Sequence, residues 1–148
     1  MASYKLIIPG EVPSLKNSKQ LAVLGALPSR NGQPYKTWLN RLLKQIKIVP
    51  SKNYQQYEQR TLPLLKSCNL VGYEWQYPVM VHFHFYCATR RKFDHLNIAQ
   101  GPLDLMVEAG ILADDDMIHV VPGCFEWSVD KDNPRVEIVI SEVENGRK

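Results

Sequence analysis

Between Arg90 and Asp116 lie the side chains best suited to chemistry: Arg90, Arg91, Lys92, Asp94, His95, Asn97 and Asp104, then Asp114, Asp115 and Asp116 just past Gly110. Hydrolysis of a phosphodiester calls for hard oxygen ligands around Mg2+ or Mn2+, because the metal orients water and offsets charge that develops on the attacked phosphate. Aspartates supply those oxygens at short reach, and the basic run upstream suits a phosphate backbone. A run of three Asp also fits a solvated turn, so the carboxylates carry an argument only together with the elements that hold them.

Those elements can be read from patterning. Tyr4–Pro9 alternates polar and apolar residues and ends at Pro9 and Gly10, as a first strand closed by a turn does. Residues 34–48 place Trp38, Leu42 and Ile46 at four-residue spacing beside Arg41, Lys44 and Lys47, predicting an amphipathic helix with a basic face that Pro50 stops. A second, more polar helix is expected over Tyr54–Leu65, interrupted by Pro63. Pro78–Cys87 sets Val79, Val81, Phe83 and Phe85 against Met80, His82, His84 and Tyr86, the period-two pattern of a central strand. Leu103–Ala109 reads as a short helix, with Pro102 near its first turn and Gly110 at its C-terminal cap. Residues 118–121 and 136–143 complete the strands, joined by a turn-rich Asp130–Pro134 segment, and residues 145–148 are expected to be a frayed tail. The carboxylates therefore flank one helix, on a strand end and a post-helix loop that can converge over it.

Composition frames the same picture. A chain of 148 residues with 45% apolar content supports one domain with one core, and its net charge is +3. Residues 1–93 hold 14 Lys/Arg against 3 Asp/Glu and residues 94–148 hold 4 against 12, a split of +11 and −8. Such a split fits a protein that grips a polyanion on one surface and gathers carboxylates elsewhere, though solvated helix faces give the same count. No apolar stretch approaches the roughly 18 residues of a membrane span and no signal peptide opens the chain, so a cytoplasmic protein is expected. Cys68, Cys87 and Cys124 lack the spacing of a disulfide framework or zinc ribbon and read as reduced core residues.

Other residues invite weaker functional readings. His82 and His84 face one side of a strand and could chelate a metal, but the sequence offers no third ligand, and core or dimer-face histidines are the plainer reading. His119 could reach the carboxylates or stand exposed. Trp38, Trp75 and Trp127 read as core anchors in preference to base-stacking platforms, and Asn17 as a turn residue or polar support for a site.

The segment Arg90–Ile118 (RRKFDHLNIAQGPLDLMVEAGILADDDMI) resembles the signature of the RusA Holliday-junction resolvase family: a basic run leading into D-x-D-N-x-x-K, a helix containing Asp, Ala-Gly and a D-D pair. Asp94, Asn97, Asp104, Ala109, Gly110, Asp114 and Asp115 fall at the family's spacings. Ile8–Asn17 resembles its opening strand and Pro-Ser-x-Asn turn, and Arg135–Ile140 its final strand, so nearly the whole chain is covered. The resemblance implies a single small α+β domain over residues 1–148, with a mixed β-sheet packed against a few helices. It implies a homodimeric, Mg2+-dependent endonuclease, Mn2+ being an alternative, that recognises four-way DNA junctions by shape and nicks two strands symmetrically in recombination and repair. On that reading Asp94, Asp104, Asp115 and Asn97 are catalytic, and Asp94, Asp114 and Asp115 hold the metal. Arg90, Arg91, Lys92, Lys16 and Lys19 would grip the DNA backbone.

Two positions depart from the pattern. Leu96 stands where the family has its second Asp, and Gln100 where it has its Lys. Leu cannot ligate a metal, and Gln lacks the charge that would stabilise a developing oxyanion. His95 could supply an imidazole nitrogen, which suits Mn2+ better than Mg2+. A second reading is therefore a RusA-like protein that binds branched DNA with weakened cleavage or none, and a third is the same fold turned to another metal or to RNA.

Overall fold

The computed structural model describes residues 3–14 and 19–143. Its elements in order are β1 (Ser3–Pro9), β2 (Lys19–Val23), α1 (Tyr35–Gln45), β3 (Ile46–Pro50), α2 (Lys52–Lys66), β4 (Val79–Cys87), α3 (His95–Glu108), β5 (Val120–Val129) and β6 (Arg135–Glu142). Four strands form a mixed sheet in the order β1-β6-β4-β5, giving a small α+β fold. β4 pairs antiparallel with β6 and parallel with β5, and β1 closes antiparallel on β6. The parallel pair requires a crossover, and α3 is that crossover.

Period-two alternation places Val79, Val81, Phe83, Phe85 and Cys87 of β4 on one buried face, continued by Val136, Ile138 and Ile140 of β6. Helices α2 and α3 cover it with Tyr54, Tyr57 and Leu65, and with Ile98, Ala99, Leu105 and Met106. The opposite face carries Met80, His82, His84 and Tyr86, half-buried among polar groups. There Arg135 lies 3.7 Å over the Tyr86 ring and donates 2.9 Å hydrogen bonds to Glu137 and Asp130, while Lys5 pairs with Glu137. His82 Nδ1 accepts from the Cys124 amide at 2.9 Å, and His84 Nε2 lies 2.7 Å from Ser128 Oγ. These two histidines are thus spent on β5 backbone and hydroxyl contacts.

Several expectations from patterning need correction. The amphipathic helix ends at Gln45, because Ile46, Ile48 and Val49 are β-branched and find a partner: β3 pairs antiparallel with β2 in a separate two-stranded sheet. The helix expected over Leu103–Ala109 begins eight residues earlier, at His95, capped by Asp94. Pro102 is tolerated inside it because Gly101 and Pro102 are buried against α2, where the Tyr54 ring comes within 3.2 Å of a Cβ placed on Gly101. β5 runs from Val120 to Val129 and not 118–121. Pro122 and Gly123 hide it in the sequence, yet an edge strand accepts a proline, and a register shift opposite Val81–Phe83 absorbs the glycine. Cys87 alone of the three cysteines is a core residue, Cys68 being half-buried and Cys124 exposed. Trp75 is buried as expected, whereas Trp127 is 45% exposed. The tail expected at residues 145–148 lies outside the described residues, as do Lys16 and Asn17.

Candidate active site and nucleic-acid interface

Helix α3 is the scaffold of the site. Asp94 caps its N-terminus: Oδ1 accepts from the Leu96 amide at 3.0 Å and the Asp94 carbonyl accepts from Ile98 at 3.0 Å, so a negative charge sits where the helix dipole favours it. At the other end Gly110 takes φ +79°, with Ile111 N bonded to Met106 O at 2.9 Å and Gly110 N to Val107 O at 3.0 Å. This is the glycine-closed turn that reverses a helix C-terminus. It leads into the triple-Asp loop, fixed by Trp75 Nε1 on the Ile111 carbonyl at 2.7 Å and by the Ala113 amide on Tyr77 Oη at 2.8 Å.

The three loop aspartates have different duties. Asp114 Oδ1 accepts from the Asp115 amide at 2.7 Å, turning that carboxylate onto its own backbone. Asp116 accepts from the Ile118 and His119 amides at 2.9 and 3.0 Å and lies 2.7 Å from His119 Nδ1; the His119 hydrogen bond holds its carboxyl below the usual range. His119 therefore belongs to the turn, edge-on to Tyr77. Asp115 alone of the three lines the cavity beside α3. Desolvation, with the Asp115 charge second, raises the Asp104 carboxyl above its ordinary range, although Asp104 remains open to solvent on one side.

Leu96, Gln100, Leu103 and Asp104 recur at helical spacing on one face of α3. Asp115 joins Leu96 and Gln100 in lining a cavity of about 320 Å³ whose remaining walls are apolar, Phe83 and Val120 among them. The two residues that break the sequence pattern thus face the same space as Asp115, and Leu96 is 65% exposed there.

The other end of α3 opens onto cationic surface. Arg90, Arg91 and Lys92 are exposed on the β4 to α3 loop. Arg91 also leans on the N-terminal loop, 3.4 Å from the Val12 carbonyl and 3.9 Å from Glu11, whose carboxylate accepts from the Ala88 amide at 2.8 Å. A cleft of about 640 Å³ brings Asp94, Asn97 and His95 together with Arg91, Lys92 and Ser14. A neighbouring groove of about 740 Å³ places Arg90, Arg91 and Lys92 with Phe93, Phe125 and Trp127.

Of the expected site residues, Asp104 stands on α3 and Asp115 in the loop beyond it, lining a cavity with Leu96 and Gln100, and Asp94 and Asn97 share the cationic cleft with Arg91 and Lys92. Asp94 stands at the helix N-cap, ten residues from Asp104 and hence roughly 15 Å along the axis. Asp94, Asp114 and Asp115 do not form one cluster: among the described residues no three His, Cys, Asp or Glu side chains are close enough to hold a metal ion. Lys19 lies in β2, in the other sheet, and does not line the groove. Phe125, absent from the expected residues, and Trp127, expected as a core anchor, both line this groove; their two-residue spacing beyond Pro122 and Gly123 was the available signal.

A family model for endodeoxyribonuclease RusA matches residues 28–141. The chain belongs to the RusA family. This is a family of Holliday-junction-resolving endodeoxyribonucleases that act on branched DNA and in general depend on a divalent metal. No curated protein matches the chain. Within the RusA frame, Asp115 offers a hard oxygen donor suited to a divalent cation, with Gln100 lining the same cavity, while Leu96 withholds a further carboxylate. No helix among the described residues is long and apolar enough to cross a membrane.

Proposed function

We propose that this chain is a structure-selective endodeoxyribonuclease that resolves four-way junctions in the cytoplasm by paired nicking, working as one domain over residues 1–148 and as a homodimer with Mg2+ or Mn2+. The observation that carries the proposal is Asp115 in the loop after α3, sharing a cavity with Leu96 and Gln100 of that helix, which carries Asp104 and whose other end meets the Arg90–Lys92 surface. A bound divalent cation supplies Lewis acidity and offsets charge on the attacked phosphate. Asp104 and Asp115 would hold it, and Gln100 would orient water or a phosphate oxygen through its amide. Asp94 fixes the first turn of α3, and Asn97 presents a neutral donor to the strand in the adjoining cleft. Arg90 and Lys92 neutralise the backbone, so affinity should fall steeply with salt. Paired nicks on a two-fold symmetric junction require two sites related by the same symmetry, which motivates the dimer.

A second reading is favoured by one observation: an exposed Leu96 and an uncharged Gln100 flank Asp115. On that reading the chain grips branched DNA but cuts it weakly or not at all. One experiment separates the two. The purified protein is incubated with a labelled four-way junction and with matched duplex, in Mg2+ and in Mn2+, beside Asp115→Asn. Paired nicks that vanish in the variant support the nuclease. Tight junction binding without nicks in either metal supports the binding protein, and loss of both junction binding and cleavage overturns both readings.

A further inference from the structure

The sheet face that packs on α2 and α3 does not end where the helices end. Phe125 and Trp127 of β5 lie beside Phe83 and Phe85 of β4 in the parallel register, so they carry the core surface out to the edge strand, where Trp127 is exposed. Phe125 stacks on Phe83 at 5.5 Å, and Phe93 meets Trp127 edge-on at 5.9 Å with the rings 83° apart. An indole held by a neighbouring ring edge, 45% exposed on a strand, is a fixed flat surface in search of a partner. The groove it floors is lined otherwise by Arg90, Arg91, Lys92 and His95, with no carboxylate among the lining residues.

We infer that this groove holds an unpaired DNA nucleotide, its base stacked on the Trp127 indole and its flanking phosphates on Arg90 and Lys92. A stacked duplex offers a ring no free base face, whereas a flap, a gap or the splayed centre of a branched junction does. Base stacking on an aromatic side chain is tolerant of sequence because every base has a π-face, and a positive channel beside it follows the backbone. The charge complement rules in a polyanion, and the exposed aromatic floor distinguishes an unpaired strand from a duplex held by phosphate contacts alone. Trp127 would thereby act as a specificity residue for the nuclease proposed above, and the inference rests on that reading's assignment of Arg90–Lys92 to the DNA backbone.

The test compares affinities of the full chain for a labelled short oligothymidylate and for a blunt duplex hairpin. Trp127→Ala should weaken oligothymidylate binding by between about five- and a hundredfold, the range that loss of one stacked base produces, and leave duplex affinity unchanged. Trp127→Phe should keep most of the affinity while abolishing the quench of tryptophan emission that oligothymidylate causes in the wild type. Arg90→Ala should weaken both DNAs alike. Equal affinities of wild type and Trp127→Ala for oligothymidylate would overturn the proposal. So would parallel losses on oligothymidylate and hairpin, or a polyglutamate competitor displacing oligothymidylate as readily as unlabelled oligothymidylate does. Failure of the nuclease reading is visible separately, as junction DNA left uncut.

Discussion

Asp104 on α3 and Asp115 in the loop that follows it stand on either side of the turn that Gly110 closes, and the Asp115 charge adds to the desolvation that raises the Asp104 carboxyl. The folded state holds a proton on Asp104 more firmly than the unfolded chain does. This contribution is favourable below the ordinary carboxylate range and is lost as pH rises through the raised pKa, so at neutral pH the pair opposes folding. Asp104→Asn should therefore melt slightly higher than wild type at neutral pH, by less than about 1 kcal/mol because the pair is open to solvent, with the advantage gone in acid. Millimolar Mg2+ or Mn2+ should raise the wild-type melting temperature and fail to raise that of Asp104→Asn. Melting curves across pH with and without metal check both statements.

Leu96 and Gln100 share a cavity with Asp115, so restoring charge there should restore chemistry. Leu96→Asp combined with Gln100→Lys should increase junction cleavage by about a hundredfold, the scale on which a single well-placed electrostatic group acts. Rates measured under single-turnover conditions decide it; an unchanged rate would mean that the site's geometry, and not its side-chain chemistry, limits cleavage.

Arg90 and Arg91 are adjacent in sequence but not equivalent. Arg90 has no hydrogen bond or ion pair among the described contacts, whereas Arg91 is tied to Glu11 and Val12. Arg90→Ala should lower the slope of log affinity against log salt by about 1 and leave the melting temperature alone. Arg91→Ala should lower the melting temperature as well, since the N-terminal loop loses a tether. Junction binding titrations at several salt concentrations, paired with melts, separate the two roles.

Tyr57 is 1% exposed, and its hydroxyl finds no hydrogen-bond partner among the described residues, nor does that of buried Thr61 one helical turn on. Burial pushes the Tyr57 hydroxyl pKa far up, as expected for a phenol with nowhere to place a charge. Tyr57→Phe keeps the ring and removes the unpaired oxygen, so it should stabilise the protein by about 1 kcal/mol, read from denaturant midpoints at constant slope.

Much of this was legible from residue patterns. β4 announced itself through strict alternation, and the carboxylates flanking a helix were visible from the Gly110 stop and the Asp run. What stayed hidden was decided by partners distant in sequence. Ile46 looks helical in phase with Trp38 and Leu42, and only pairing with β2 makes Ile46–Pro50 a strand. Pro102 reads as a helix start until Gly101 is seen against the Tyr54 ring. Asp114 and Asp115 are indistinguishable as letters; the folded loop puts one on its neighbour's amide and the other in the cavity with Leu96 and Gln100. Trp127 read as a core anchor because aromatic residues on strands usually are, whereas it lies exposed on β5, the edge strand of the sheet.

The pairing of β1 with β6 sets Ser3 opposite Ser141, whereas β4, α3 and β5 are contiguous along the chain. Closing the longer loop costs more chain entropy before any contact repays it, and such non-local pairings slow folding. The segment that carries the carboxylates can thus assemble from neighbours, while the sheet's far edge waits for β1 and β6, distant in sequence, to meet. In pulsed hydrogen exchange during refolding, the amides of β4 and α3 should gain protection no later than those of β1, so the functional frame is also the part of the molecule least dependent on the rest for its formation.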